Sequence, residues 1–244
     1  MRSSLEKSSH QVKVNVMDAS ELYDPEFREL IKSKNPTIII PVGSLEQHGA
    51  HLPITTDSDI VTEIASRLAK KCDFIVFPTV SYGVSEEHYP LFNTSVDSND
   101  LRRWLERILN SLARNKIKSA VILNGHHGNE RSISDDWYPM DAKLRVYSYW
   151  RFMEHEFDHA GFVETSLMLA ISDKVKMKKA KKGLITNGLS EKEIQRIKKL
   201  STEPGGFPKV AKNGVWGDPT SATKKDGEKF LAEIVRNLAK ECQS

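Results

Sequence analysis

The sequence predicts an α/β fold in which a mostly parallel sheet is covered on both faces by helices. Three observations carry that expectation. Residues 37–40 (Thr-Ile-Ile-Ile), 74–77 (Phe-Ile-Val-Phe) and 120–123 (Ala-Val-Ile-Leu) are short apolar runs rich in β-branched residues, the signature of buried strands. Between them lie helical patterns, with Ile60, Ile64 and Leu68 in one and Leu101, Leu105, Ile108, Leu109 and Leu112 in the other. Strand and helix in alternation give parallel strands with helical crossovers, and 244 residues suit one such domain.

Residues 1–11 are polar, lack the apolar centre of a secretory signal and are expected to be mobile. Val12, Val14 and Val16 alternate with polar residues and predict a short half-exposed strand. Asp24-Pro25-Glu26 offers an N-cap, a proline at the first helical position and an early acid, so a helix runs to about Lys34, where Asn35-Pro36 ends it. Residues 37–42 form the first buried strand, and Asp57 or Ser58 caps the helix that follows its exit loop. The second strand ends at Pro78. The connection over 79–98, with Tyr82, Gly83, Glu87 and His88, is longer than packing requires, and such connections often line a site. Asn99 or Asp100 starts the next helix, and the third strand runs into Asn124-Gly125-His126-His127-Gly128-Asn129.

Beyond Asn129 the pattern weakens: Ile133, Trp137 and Met140 give a short apolar face interrupted by Pro139. A strand over 144–150 follows, then a polar stretch over 158–166 that opens a helix over 167–171. Residues 174–200 read as surface helix or insertion, Pro204-Gly205-Gly206 as loop, and 214–219 as a turn anchored by Trp216. A final amphipathic helix passes through Phe230, Ile234 and Leu238.

Composition narrows the function classes. Hydrophobic content of 39% and charged content of 28% describe an ordinary globular chain, and no apolar run approaches the ~20 residues of a membrane helix. A cytoplasmic protein is expected. Cys72 and Cys242 form no CxxC pair, so neither a disulfide framework nor a thiolate metal site is indicated. The net charge of +3 is local in origin, because Lys174, Lys176, Lys178, Lys179, Lys181 and Lys182 cluster in one short run. Without interleaved aromatics that run reads as a solvated face, and nucleic acid is not the expected partner.

The exit loop of the first strand carries the strongest chemical signal. Glu46 and His48 stand two residues apart, a spacing that in extended chain sends both side chains one way, and Asp57 returns nine residues later. Mixed oxygen and nitrogen donors suit zinc, manganese or iron better than calcium or magnesium. A plainer reading is a solvated turn shaped by Gly43, Gly49 and Pro53. A second polar cluster, Asn124-Gly125-His126, falls at another strand end, where ligands of parallel sheets bind. With Glu164 the set is Glu46, His48, Asp57, His126 and Glu164: too many for one tetrahedral ion, enough for two divalent metals sharing a carboxylate and a water. Two cations would lower the pKa of that water towards neutrality. His159, with an ordinary pKa of ~6.5, is the candidate to protonate the leaving nitrogen. His51, His88 and His127 read as supporting or loop histidines; Trp137, Trp150 and Trp216 could wall a substrate pocket but read rather as core or interface aromatics; and Asn124 and Asn129 suit tight turns, although an amide could also orient a ligand.

These residues resemble the creatininase (creatinine amidohydrolase) family. The matching motifs are residues 43–53 (Gly-Ser-Leu-Glu-Gln-His-Gly-Ala-His-Leu-Pro) with Asp57, residues 124–129, residues 159–166 (His-Ala-Gly-Phe-Val-Glu-Thr-Ser) and residues 214–219. The resemblance implies a three-layer α/β/α sandwich, a single domain, two divalent metals per subunit, hydrolysis of a small-molecule amide at a non-peptide carbon–nitrogen bond, and a homo-oligomer, often a hexamer. It puts Glu46, His48, Asp57 and His126 on metal-ligand positions, Asp57 as the bridge, and His159 on the catalytic histidine. One position departs. Creatinine-hydrolysing members carry a glutamate ligand two residues after the histidine matching His126, where this chain has Gly128; Glu164 is the carboxylate expected to stand in. That departure turns the expectation from creatinine towards deformylation of a formamidopyrimidine ribonucleotide in flavin and deazaflavin synthesis. Creatinine hydrolysis, a cofactor-precursor peptidase and a catalytically silent metal-binding domain are the alternatives.

Overall fold

The computed structural model describes residues 18–133, 143–156 and 158–243. The strand expected at Val12, Val14 and Val16 and the short face at Trp137 and Met140 lie outside those residues.

Four parallel strands, β1 (Ile38–Val42), β2 (Ile75–Val76), β3 (Ser119–Asn124) and β4 (Lys143–Ser148), stand in the order β2-β1-β3-β4. Because side chains alternate along a strand, the sheet has two apolar faces. Ile39, Val121 and Leu123 point to one, where α2 (Thr56–Cys72), α4 (Phe162–Ile171) and α7 (Lys224–Gln243) pack against each other and against the strands. Ile38, Ile40, Val42, Ala120 and Ile122 point to the other, covered by α3 (Ser98–Arg114) and by Phe27, Leu30 and Ile31 of α1 (Asp24–Lys34). The result is a three-layer α/β/α sandwich. Leu101 and Leu105 of α3 are fully buried, and each such side chain contributes ~1.5–3 kcal/mol by leaving water.

Several boundaries differ from expectation for local reasons. α2 starts at Thr56, with Thr55 ahead of it, because Asp57 turns inward to two histidines and is not free to cap. α3 starts at Ser98, capped by Asp97, whose side chain accepts from the Asn99 N–H. β2 keeps only two residues, and β4 gives way to a 3₁₀ turn at Tyr149–Phe152. α4 begins at Phe162, five residues early. Asp158 accepts from the N–H groups of Val163 and Glu164 there, which satisfies donors the first turn would leave open. Residues 174–200 hold a 3₁₀ turn at Met177–Lys179 and most of α5 (Glu191–Ser201), which packs on the short α6 (Phe207–Val210). All six lysines of the basic run are exposed. Among the described residues no helix is long and apolar enough to cross a membrane.

Candidate metal centre

The pairing of β1 with β3 sets Val42 beside Asn124, so the loops leaving both strands start side by side at the carboxyl edge of the sheet. Glu46 and His48 come from the first loop and His126 from the second. Gly125 lets α2 approach: a Cβ there would lie 2.6 Å from Val61 Cβ and 2.9 Å from the Asp57 carbonyl oxygen. That closeness delivers Asp57, in the first turn of α2, between the two loops.

Asp57 is the hub. Its Oδ1 lies 3.1 Å from His48 Nε2 and its Oδ2 3.0 Å from His126 Nδ1. Glu164, in the first turn of α4, brings Oε2 to 3.5 Å from His48 Nε2. Glu46 brings Oε2 to 3.2 Å from His126 Nε2, while its Oε1 faces His88 Nε2 at 2.9 Å and His159 Nδ1 at 3.8 Å. All six sequence-predicted residues therefore meet around one point. Glu164 does so on the His48 side, away from the place beside His126 where a carboxylate was expected to be missing.

Three neighbours without an assigned role, Glu87, Gln47 and Phe207, join the site, together with His88, one of the expected supporting histidines. Glu87 and His88 come from a 3₁₀ turn at Glu86–His88 in the long 79–98 connection, whose length was the available signal. Gln47 binds the Gly49 N–H through its side-chain oxygen, and its amide nitrogen lies 2.9 Å from His88 Nδ1. Phe207 packs its ring on His88 and His159, with centroids 4.6 and 4.8 Å away. His51 supports from behind, its Nε2 2.9 Å from Thr165 Oγ1. Asn129, within the 3₁₀ turn at His127–Arg131, is also a staple. It accepts from the Val84 N–H and donates to the Gly43 carbonyl and to Asn124 Oδ1.

The electrostatics are those of a cluster built to hold positive charge. Burial alone would depress His48, yet Asp57 and Glu164 hold its pKa up to about 10. His126 is likewise raised well above its ordinary value, with Glu46 and Asp57 outweighing burial. Burial opposes ionisation of Asp57 and Glu46, and the neighbouring histidines win, so both are lowered. Burial lifts Glu164 to about 8. Burial, with His48 and His88 nearby, pushes His159 well below the ordinary histidine range.

The donor set fits divalent cations. Glu164 Oε1 is buried and accepts no hydrogen bond, and the buried Glu46 Oε1 and Asp57 Oδ2 have only histidine nitrogens beside them, His88 Nε2 at 2.9 Å and His126 Nδ1 at 3.0 Å. Every ion pair made by these three carboxylates among the described residues is with a histidine. Two donors each ~2.1 Å from a tetrahedral zinc ion lie ~3.4 Å apart, close to the 3.1, 3.2 and 3.5 Å separations found here. Two overlapping sets of donors, Glu46 with His48 and Asp57, and His48 with His159 and Glu164, each fall within 4.8 Å of one another. Several kcal/mol per buried ion argue against leaving such carboxylates uncompensated.

A cavity of about 300 Å³ opens over the cluster. Buried Glu46, Asp57 and Glu164 form its floor, Trp150, Phe207 and Trp216 line it, and exposed Lys198 and Thr202 mark its rim. Trp150 and Trp216 thus wall the cavity, the less favoured of the two expectations for them, and Trp137 lies outside the described residues. His127 stacks on Trp150, 5.7 Å between centroids.

The family model for creatininase, described as creatinine amidohydrolase, matches residues 20–242. A mycofactocin precursor peptide peptidase of Mycobacterium ulcerans (strain Agy99) is 33% identical over 213 residues, covering 82% of each chain. A 2-amino-5-formylamino-6-ribosylaminopyrimidin-4(3H)-one 5'-monophosphate deformylase of Methanosphaera stadtmanae is 34% identical over 146 residues, 57% of this chain and 62% of that one. Among solved structures, a glutamate-to-glutamine creatininase variant of the Zn–Zn type superposes with a TM-score of 0.78 at 24% identity, over 93% of this chain and 96% of the other. Fold and sequence agree: the chain belongs to the creatininase family and is a metal-dependent hydrolase of carbon–nitrogen bonds.

Proposed function

We propose that this amidohydrolase removes a formyl group from an amino-pyrimidine ribonucleotide, a planar and anionic formamide. The observation that carries the reading is the cavity over the cluster: buried acid and imidazole groups at its floor, flat aromatic walls, and a lysine at its rim. A formyl group is the smallest acyl unit and suits a blind floor. A pyrimidine stacks on Trp150 or Trp216, and Lys198 meets a phosphate.

Glu46 and His126 would hold one cation, His48 and Glu164 the second, with Asp57 between them; zinc, manganese and iron(II) all accept such donors. Bound divalent metal polarises the amide carbonyl and makes water a nucleophile near neutral pH. The remaining work falls to His159. Its Nε2 faces the Gln47 carbonyl at 3.1 Å. A carbonyl only accepts, so this contact puts the ring proton on Nε2 and the lone pair on Nδ1, facing Glu46. The Gln47 amide nitrogen, 3.0 Å from the same Nε2, finds its acceptor in His88 Nδ1. Held neutral by burial, His159 begins as a proton acceptor at Nδ1 and then passes that proton to the leaving nitrogen. The order differs from that expected of a histidine with an ordinary pKa.

The test is a panel assay of metal-reconstituted enzyme on the formamidopyrimidine ribonucleotide, creatinine and a precursor peptide with a free carboxyl terminus. Formate release in step with the free amine is expected, and Lys198→Gln should raise KM for the nucleotide. A second reading, precursor-peptide hydrolysis, is favoured by the larger share of the chain covered by the peptidase relatives. Peptide cleavage without formate release would replace the first reading with the second.

A further inference from the structure

Gly128 is closed to any side chain. A Cβ there would lie 2.1 Å from the Val84 carbonyl oxygen, 2.5 Å from His126 Nε2 and 2.9 Å from Glu87 Oε1. The segment that fills this space is the 79–98 connection, which is fixed in place rather than draped over the surface. Val84 N–H donates to Asn129 Oδ1, Ser85 N–H to Ser95 Oγ, and Val96 N–H to the Gly83 carbonyl. The turn that follows carries Glu87 inward, leaving its side chain 14% exposed.

Glu87 Oε1 lies 3.6 Å from His126 Nε2 and 3.8 Å from His88 Nε2, both too long for hydrogen bonds. Yet Glu46, Glu87 and His126 offer donor atoms that all fall within 4.8 Å of one another, and 3.6 Å is close to the edge of a tetrahedral coordination sphere. A carboxylate facing two nitrogens and another carboxylate, near all and bonded to none of them, is placed as a ligand is placed.

We propose that Glu87 is a ligand of the cation held by Glu46 and His126, its carboxylate arriving from the 79–98 connection because position 128 has no room for one. The inference rests on the two-cation reading of the centre. Binding there displaces the proton through which His126 Nε2 meets the Val84 carbonyl, 2.7 Å away. Glu87 thereby gives the first site two carboxylates of its own, with Glu46, beside the shared Asp57, where the site around His48 has Glu164 alone.

The experiment loads full-length protein with Zn²⁺ or Mn²⁺ alone, counts retained metal, and records the manganese electron paramagnetic resonance spectrum. Wild type should retain two equivalents with a spin-coupled spectrum. Glu87→Gln, which keeps the shape and removes the charge, should retain one, show an uncoupled spectrum, and bind the second ion more than ~100-fold more weakly, beyond the ~10–100-fold typical of partners that only orient a ligand. Exposed Glu86→Gln serves as control and should behave as wild type, and unchanged circular dichroism of Glu87→Gln excludes a folding defect. Two tightly held ions in both wild type and Glu87→Gln would overturn the role of Glu87 alone. Fewer than two in wild type would overturn the two-cation centre beneath it.

Discussion

Replacing Asn129 by alanine tests whether the site is held by one buried amide. The residue is fully buried. Its side chain accepts from Val84 N–H at 2.9 Å and donates to the Gly43 carbonyl at 3.0 Å and to Asn124 Oδ1 at 3.3 Å. These bonds tie together the three segments that carry Glu87, Glu46 and His126. Three hydrogen bonds at ~1 kcal/mol net each give a loss of about 3 kcal/mol, a floor because the Val84 N–H and Gly43 carbonyl lose these partners inside the protein. For a chain of this size ~1 kcal/mol moves the melting temperature by ~2–4 °C, so Asn129→Ala should melt about 6–12 °C lower. Metal occupancy should fall with it. Asn129→Asp keeps the acceptor, loses both donors and sets a carboxylate against two carbonyl oxygens, so it should be worse than alanine. Thermal unfolding followed by circular dichroism, with metal counted on the same samples, decides the matter. An alanine variant melting within about 2 °C of wild type would refute the staple.

Asp57→Asn should lower turnover by several orders of magnitude and cost both metals, whereas Glu164→Gln should cost one; equal occupancy in the two variants, by elemental analysis, would remove the bridging role. His159→Ala should lower turnover by ~10²–10⁴-fold with metal content intact, and should hurt an activated anilide less than a poor leaving group, the remaining damage being the lost proton acceptor; equal damage to both would rule out proton transfer to nitrogen. Cation-free His48 and His126 hold protons at neutral pH, and a metal must displace them, so metal affinity should rise with pH across the neutral range. Glu164, lifted to about 8, gives up its proton as well, so calorimetry in buffers of differing ionisation enthalpy should show release of about two to three protons, and pH-independent affinity would contradict it. Changing all six lysines between 174 and 182 to glutamine should leave turnover unchanged, since none lines the cavity and Lys174 faces Asp59 at 3.9 Å; a large rise in KM would make the run part of the site.

The layers of the fold were legible because α1, β1 and β3 are each marked locally, by caps and proline in the helix and by unbroken β-branched runs in the strands. Glu46, His48 and His126 were legible for a related reason: strand exits are predictable, and donors there share one rim. The misreadings arose where a distant contact overrules a local preference. Asp57 looks like a cap, but two buried histidines claim it. The start of α4 was hidden because its apolar residues go all round, leaving no period to mark where it begins. Glu87 and Phe207 could not be read from spacing, since their positions follow from where the 79–98 and 204–210 segments come to rest, and Gln47, though inside the 43–53 loop, shows its part only once His88 stands beside it.

Helix α4 carries Glu164 in its first turn and lies wrapped between α2 and α7. Its consequence concerns timing. Residues 38–126 include the donors of the first cation, whereas Glu164 rides on a helix that packs against α7, a segment that follows it in the chain from residue 224 onward. A chain cut short before α7 should therefore keep the first cation better than the second. Activity that needs both ions would wait until α7 is in place.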